Sequence, residues 1–111
     1  MLDTAKNWLE LARTERNPEI ILTSLFNLEN ILYKQKLDFN DVGTSIDEIK
    51  RLKTKAYKKE CCYYAILLKK TNNKEVLKRF EVFRRKSNLS YKETGISQLD
   101  FRIKKLKAKF F

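Results

Sequence analysis

Apolar residues recur three and four positions apart along most of this chain, which is the period of an amphipathic α-helix. The first such segment runs from about Asp3 to Glu15, and the second from about Pro18 to Lys36. Asn17 and Pro18 are typical of a helix start, because asparagine caps free amides and proline lacks an N–H at the first helical position. The pattern therefore predicts two helices joined by a short connection.

The second segment is the most apolar part of the chain. Its main stripe consists of Ile21, Leu25, Leu28 and Leu32, and it is widened by Leu22, Phe26 and Tyr33. A stripe this broad is typical of a helix that its neighbours contact on several sides. We therefore expect this helix to be the central element of the core.

A third segment follows a polar loop from Asp38 to Thr44. Ser45 and Glu48 have the spacing of a capping box, in which each side chain accepts a hydrogen bond from the backbone amide of the other residue. The helix that they open is expected to reach about Lys70. Residues 61–68 in its second half are apolar on nearly every side, which predicts a buried segment.

Two further helices are predicted in the C-terminal half. A cap signal from Asn72 to Glu75 opens a fourth helix, and Ser97 opens a last one. Their inward stripes consist of Val76, Leu77, Phe80 and Phe83 in the fourth helix and of Leu99, Ile103, Leu106 and Phe110 in the last. Only two glycines and one proline occur in 111 residues, which disfavours a hairpin-rich β fold. The predicted fold class is all-α: a single-domain helical bundle of residues 1–111, with four main helices plus a C-terminal basic amphipathic helix.

Charge is distributed unevenly over this predicted domain. Residues 1–48, the acidic helical hairpin, contain five basic and nine acidic residues, a balance of −4. Residues 49–111, the basic helical region, contain 20 and 5, a balance of +15, and the whole chain carries +11. This asymmetry predicts an anionic partner for the basic region. The alternative is that lysine is simply the default surface residue of this protein.

The residues that most enzyme sites require are missing from the sequence. The chain has no histidine, the commonest general base and metal ligand, and its glycines at positions 43 and 95 do not form a phosphate-binding loop. Asp38 and Asp41 are interpreted as cap and turn residues rather than metal ligands. We therefore predict a protein that is not an enzyme, with no cofactor, no metal and no small-molecule substrate.

The two cysteines, Cys61 and Cys62, are adjacent and do not suit a disulfide framework. This usage favours a reducing compartment, and the N-terminus shows no basic segment followed by an apolar run. The expected localisation is cytoplasmic.

Nucleic acid is the predicted partner of the basic region, because lysine and arginine bind phosphate backbones through counterion release. Tyr57, Tyr63 and Tyr64 lie among these cations, and they either stack on bases or belong to the core. The contacts are expected to be with the backbone rather than with base edges. The candidate nucleic-acid-binding residues are Arg79, Arg84, Arg85, Arg102, Lys104, Lys105 and Lys107.

Residues 89–97 resemble part of a bacterial helix-turn-helix, as in region four of sigma factors. There a Leu-Ser-Tyr-x-Glu opening leads to Thr-Gly-Ile-Ser at the turn before the recognition helix, and this chain has Leu89 to Glu93 followed by Thr94 to Ser97. Only one residue separates Glu93 from Gly95, where the motif has about another helical turn. The other interpretation is a Ser90-capped turn that ends at Gly95.

Two other kinds of partner compete with nucleic acid. In size, basic character and four-helix layout, the chain is similar to the bacteriocin immunity proteins of Gram-positive bacteria, which implies a cytosolic protein that acts on a protein or membrane-receptor partner. The acidic hairpin is the surface expected to meet a protein partner. Peripheral contact with an anionic membrane is a further alternative, since a basic amphipathic helix that ends in Phe110 and Phe111 suits shallow insertion.

Overall fold

The computed structural model describes residues 2–71 and 73–94, and within these ranges the secondary structure is helical, with no strand. The elements are α1 (Leu2–Thr14), α2 (Pro18–Gln35), a short 3₁₀ helix (Phe39–Val42), α3 (Ile46–Lys70) and α4 (Lys74–Lys86). The prediction of a mostly helical chain with four main helices is confirmed. The predicted C-terminal helix lies outside the described residues.

Capping residues set the helix boundaries close to the predicted positions. The Asn17 side chain accepts a hydrogen bond from the Glu19 amide at 2.9 Å, and Asn73 does the same for Glu75 at 2.7 Å. Helix α2 ends where Lys36 takes a left-handed conformation, with a φ of 56°. There the amide of Leu37 donates to the Leu32 carbonyl at 2.9 Å, which satisfies a free carbonyl of the last turn.

Internal contacts divide the chain into two compact units, Met1–Ala56 and Tyr57–Phe111. The boundary falls within α3, so that this helix supplies its first half to one unit and its second half to the other. The prediction of one domain with an acidic hairpin and a basic remainder stays a prediction.

The first unit has a core of aliphatic side chains. Burial in α2 follows the main predicted stripe, and the largest buried side chains come from both α1 and α2. The core consists of Ala5, Leu9, Ala12, Ile21, Leu25, Leu28, Leu32, Val42, Ile49 and Ala56. A hydroxyl is also buried here, and the Ser24 Oγ donates to the Ile20 carbonyl at 2.6 Å within the helix.

The second unit has a core of aromatic and aliphatic side chains. Phe80 of α4 is fully buried, and the Tyr64 ring of α3 stacks on Phe83 with centroids 5.6 Å apart and planes 11° apart. The buried residues are Cys61, Tyr64, Ala65, Leu68, Leu77 and Phe80. Burying a large aromatic ring such as Phe80 contributes roughly 1.5–3 kcal/mol relative to leaving it exposed.

Two predictions of burial are wrong for some of their residues. In α2 the main stripe is buried, but Phe26 and Tyr33 of the widened stripe are exposed. In residues 61–68, Cys62, Tyr63 and Ile66 are exposed. Successive helical residues rotate by about 100°, so that the buried residues 61, 64, 65 and 68 lie on one side of α3 and the exposed residues 62, 63 and 66 on the other. Apolar composition alone therefore overstated how much of these helices is covered.

Candidate functional site

The outer side of α4 carries a dense row of cations, which we call the α4 basic face. Leu77, Phe80 and Glu81 occupy the opposite, buried side of the helix. Glu75 is the acidic residue on the exposed side, and Val82 is exposed between the cations. The basic residues of the face are Lys74, Lys78, Arg79, Arg85 and Lys86. Because one side of the helix is committed to the core, these charges project together from the other side.

Two of the predicted nucleic-acid-binding residues, Arg79 and Arg85, lie on the α4 basic face. The Arg85 side chain is 75% exposed, and its Nη2 lies 4.0 Å from Glu81 Oε2. Arg79 is also exposed, and its Nη1 donates to the Tyr64 hydroxyl at 3.3 Å. Both guanidinium groups are therefore placed where a phosphate can approach.

Arg84, the third predicted residue on α4, does not lie on the α4 basic face. Its side chain is only 19% exposed, and its Nη2 lies 3.3 Å from Glu81 Oε2. Its Nη1 donates to the Leu89 carbonyl at 3.0 Å, and its guanidinium carbon lies 4.3 Å from the centre of the Tyr91 ring. Arg84 thus ties the segment after α4 to the helix. The predicted residues Arg102, Lys104, Lys105 and Lys107 lie outside the described residues.

Glu81 is the anion around which this arrangement is built. Its carboxylate is nearly buried and accepts a hydrogen bond from the Tyr91 hydroxyl as well as from Arg84. Burial by itself lowers the pKa of Arg84, but the hydrogen bond and the negative charge of Glu81 outweigh it, and the pKa of Arg84 is raised. We call Glu81, Arg84 and Tyr91 the buried ionic network.

The segment that resembles a helix-turn-helix opens with a capped turn. The Ser90 amide donates to Glu93 Oε2 at 2.9 Å, and the Glu93 amide donates to Ser90 Oγ at 3.2 Å, which is a reciprocal capping box. The Thr94 hydroxyl then donates to the Tyr91 carbonyl at 2.6 Å. The Gly95 turn and the residues of the proposed recognition helix lie outside the described residues.

The second half of α3 presents an exposed apolar strip between cations, which we call the α3 outer strip. Cys62, Tyr63 and Ile66 form the strip. Lys58 precedes it, and Lys69 and Lys70 follow it, all of them exposed. Sequence reasoning expected these three residues to be buried, because the run from 61 to 68 contains no charge to mark its solvent side.

Of the three tyrosines among the cations, the structure exposes one. Tyr64 is buried in the second core, and Tyr57 is half-buried with its ring centroid 6.2 Å from that of Phe83. Tyr63 is 54% exposed. The core interpretation therefore holds for Tyr64, whereas the Tyr63 ring is accessible to solvent.

The two adjacent cysteines face different surroundings. Cys61 is buried and Cys62 is exposed, and both are free thiols. Burial raises the pKa of Cys61 to about 11, so that its thiolate is rare at neutral pH. Cys62 is therefore the thiol that solution reagents reach.

An ion pair joins two distant parts of the first unit. Arg13 Nε donates to Glu48 Oε2 at 2.9 Å, and Arg13 Nη2 donates to Glu48 Oε1 at 2.6 Å and to the Gly43 carbonyl at 3.0 Å. The Thr44 hydroxyl donates to the same carboxylate. The hydrogen bonds that Glu48 accepts lower its pKa to about 2, and the one from Arg13 has the largest effect, followed by the one from Thr44.

The predicted capping box of α3 is therefore formed in only one of its halves. Ser45 Oγ accepts from the Glu48 amide at 3.2 Å, as expected. The Glu48 carboxylate, in contrast, is engaged by Arg13 and Thr44. A tertiary contact has taken the place of a local one.

An open pocket of about 440 Å³ lies in the first unit, between the end of α2 and the 3₁₀ helix. Tyr33 and Phe39 line it together with the carboxylates of Glu29 and Asp38. Lys53 Nζ pairs with Glu29 Oε1 at 2.6 Å. The acidic lining disfavours phosphate in this pocket.

The described residues also lack two other kinds of site. Among residues 2–71 and 73–94, no three histidine, cysteine, aspartate or glutamate side chains cluster closely enough to hold a metal ion. Asp41 Oδ2 instead accepts a hydrogen bond from the Asp38 amide at 2.7 Å, which is a cap. None of the helices in the described part combines the length and the apolar character needed to cross a membrane.

Comparison with protein-family models, with curated proteins and with solved structures finds no match to this chain.

Proposed function

We propose that this protein is a non-enzymatic nucleic-acid-binding protein that contacts the phosphate backbone through its basic C-terminal half. The observation that carries the proposal is the α4 basic face, where five cations and one carboxylate share the exposed side of a 13-residue helix. A surface of this kind releases counterions from a polyanion when it binds, and this supplies affinity without reading sequence.

The proposal assigns different parts to the candidate residues. Arg79 and Arg85 contact phosphates from α4, and Arg84 positions the following segment through the buried ionic network. In the full proposal the chain is a helical bundle, and a C-terminal basic amphipathic helix adds contacts from Arg102, Lys104, Lys105 and Lys107. No cofactor or small-molecule substrate takes part, in keeping with a chain that has no histidine.

The test is a fluorescence-anisotropy titration against labelled single-stranded DNA, duplex DNA and structured RNA over a range of salt concentrations. The variant combines Lys78→Gln, Arg79→Gln, Arg85→Gln and Lys86→Gln. Its matched control removes four charges from the first unit with Lys6→Gln, Arg16→Gln, Lys34→Gln and Lys36→Gln. Both proteins carry the same net charge, so that only the location of the charge differs.

We expect the α4 variant to lose affinity and to flatten the dependence of log affinity on log salt. The slope should fall by about 0.7–0.9 for each phosphate contact removed, or by roughly three for four contacts. The control variant should keep the slope of the wild type. Equal losses in the two variants would show that net charge rather than the α4 basic face drives binding.

A second candidate function is an immunity or inhibitor protein that acts on a protein partner through the acidic N-terminal hairpin. The observation that favours it is the pair of exposed rings on α2, Phe26 and Tyr33, seven residues apart on the same side of the helix. If this function is correct, Phe26→Ala together with Tyr33→Ala abolishes inhibition of the target and leaves nucleic-acid binding unchanged. Vesicles of anionic lipid added to the titration test the membrane alternative.

A further inference from the structure

We propose that Tyr63 is a stacking platform for an unpaired base, and that the nucleic acid bound by this protein is therefore single-stranded. The inference rests on the proposed function and specifies the class of nucleic acid. Its site is the α3 outer strip.

Tyr63 is held in place by rings behind it. Its ring meets Tyr64 edge to face, with centroids 5.2 Å apart and planes 77° apart. Tyr64 is itself fixed, because it stacks on Phe83 and accepts a hydrogen bond from Arg79. A ring supported in this way loses little freedom when a ligand binds, which favours affinity.

The exposed part of Tyr63 lies on an apolar surface rather than among polar side chains. Ile66, one turn further along α3, is also about half exposed, and Cys62 precedes the ring. Exposure of this apolar strip to water is unfavourable in free energy. A nucleobase has a flat apolar face, and it would cover the tyrosine ring and part of Ile66 together.

The charge around the strip selects a polyanion. Lys58, Lys69 and Lys70 are exposed on the same half of α3, and Glu60, the acidic residue of this half, is buried. An apolar helix would cover the strip but would not pair with the lysines, and an acidic peptide would pair with the lysines but would not cover the strip. Single-stranded nucleic acid satisfies both, since its bases stack on aromatic rings while its phosphates meet the cations.

Stacking on Tyr63 requires a base that is not already paired and stacked. In a duplex both faces of each interior base are covered by its neighbours, and only the edges are open in the grooves. Single strands, loops and ends leave base faces open. The α4 basic face is indifferent to this distinction, so that the preference for single strands comes from Tyr63.

The experiment compares wild type, Tyr63→Ala and Tyr63→Phe with Tyr33→Ala as the matched control. Tyr33 is 86% exposed but belongs to the first unit, in acidic surroundings. Affinity is measured for oligothymidylate and for a duplex of equal length, each over a range of salt concentrations. A second oligonucleotide carries 2-aminopurine, whose fluorescence is quenched when it stacks on a ring. Thermal unfolding verifies that each variant is folded.

We expect wild type to prefer the single strand, and Tyr63→Ala to weaken that binding roughly 5- to 150-fold, the range typical of one stacked base. The salt slope should stay unchanged, because no charge is removed. Tyr63→Phe, which keeps the ring, and Tyr33→Ala should bind as wild type does, and quenching should be lost only with Tyr63→Ala.

The outcomes separate this inference from the proposed function. If wild type binds with a steep salt slope but Tyr63→Ala binds equally well, or if the duplex is bound as tightly as the single strand, the stacking inference is overturned and the proposed function stands. If wild type binds no nucleic acid at low salt, the proposed function fails and the inference fails with it.

Discussion

Two adjacent arginines of α4 are expected to respond to mutation in opposite ways. Arg84 is mostly buried in the ionic network with Glu81 and Tyr91, whereas the Arg85 side chain is 75% exposed on the α4 basic face. Arg84→Met and Arg85→Met each remove one positive charge and keep an unbranched side chain of similar length. Any difference between the two variants therefore reports position rather than charge.

The magnitude for Arg84→Met follows from the contacts that it removes. It deletes the ion pair with Glu81, the hydrogen bond to the Leu89 carbonyl and the cation over the Tyr91 ring. Removing one partner of a fully buried pair costs about 3–5 kcal/mol, and this pair is partly exposed and loosely spaced at 3.3 Å. We expect a loss of about 2–3 kcal/mol in the free energy of unfolding, against roughly 0.5 kcal/mol or less for Arg85→Met.

Urea denaturation followed by far-ultraviolet circular dichroism measures this difference, read as a shift of the midpoint at unchanged slope. Adding Glu81→Gln to Arg84→Met should restore part of the stability, because the buried carboxylate no longer carries a charge. In the anisotropy titration the order should reverse: Arg85→Met weakens binding, and Arg84→Met does not while it is folded. Should Arg84→Met unfold as wild type does and lose as much affinity as Arg85→Met, the buried ionic network would be refuted.

Two other predictions concern single groups. The pKa of Glu48 is lowered by Arg13 and Thr44 to about 2, so this pair should stabilise the fold fully above the ordinary value of 4.5 and lose its effect as pH falls from there toward 2. Urea midpoints over that range should show a loss of about 1 kcal/mol that Glu48→Gln abolishes, and an equal acid dependence in that variant would contradict it. For the cysteines, a thiol reagent should modify Cys62 rapidly and Cys61 only on unfolding, and bound single-stranded DNA should protect Cys62, which adjoins Tyr63. Equal rates for the two thiols would contradict the burial of Cys61.

Local chemistry accounts for the features that the sequence predicted correctly. Asn17 followed by Pro18 defines the start of α2 wherever the helix lies, because both residues act on the helix's own amides. The buried stripes of α1 and α2 likewise follow from the helical period. The cations of α4 could be assigned to its outer side for the same reason, since its inner side is marked by Leu77 and Phe80.

Contacts between residues far apart in the chain account for the features that the sequence did not predict correctly. Glu48 was expected to complete a local cap, but Arg13, 35 residues away, engages its carboxylate. Arg84 and Arg85 are equivalent by composition, and contacts with Leu89 and Tyr91, which Arg84 makes, separate them. Tyr63 and Tyr64 are equally apolar neighbours, and Phe83 decides which of them is buried.

The sequence by itself thus determined the helices, their caps and the concentration of positive charge, because each depends on residues within a few positions of one another. Tertiary structure alone decided which side of an apolar run is covered by other side chains, and which cation is buried in an ion pair rather than exposed to solvent. The helical period specifies the direction in which each side chain leaves the helix. Whether another part of the chain packs against that side depends on the tertiary structure. The functional proposals depend on the exposure of Tyr63 and the burial of Arg84, and tertiary structure decided both.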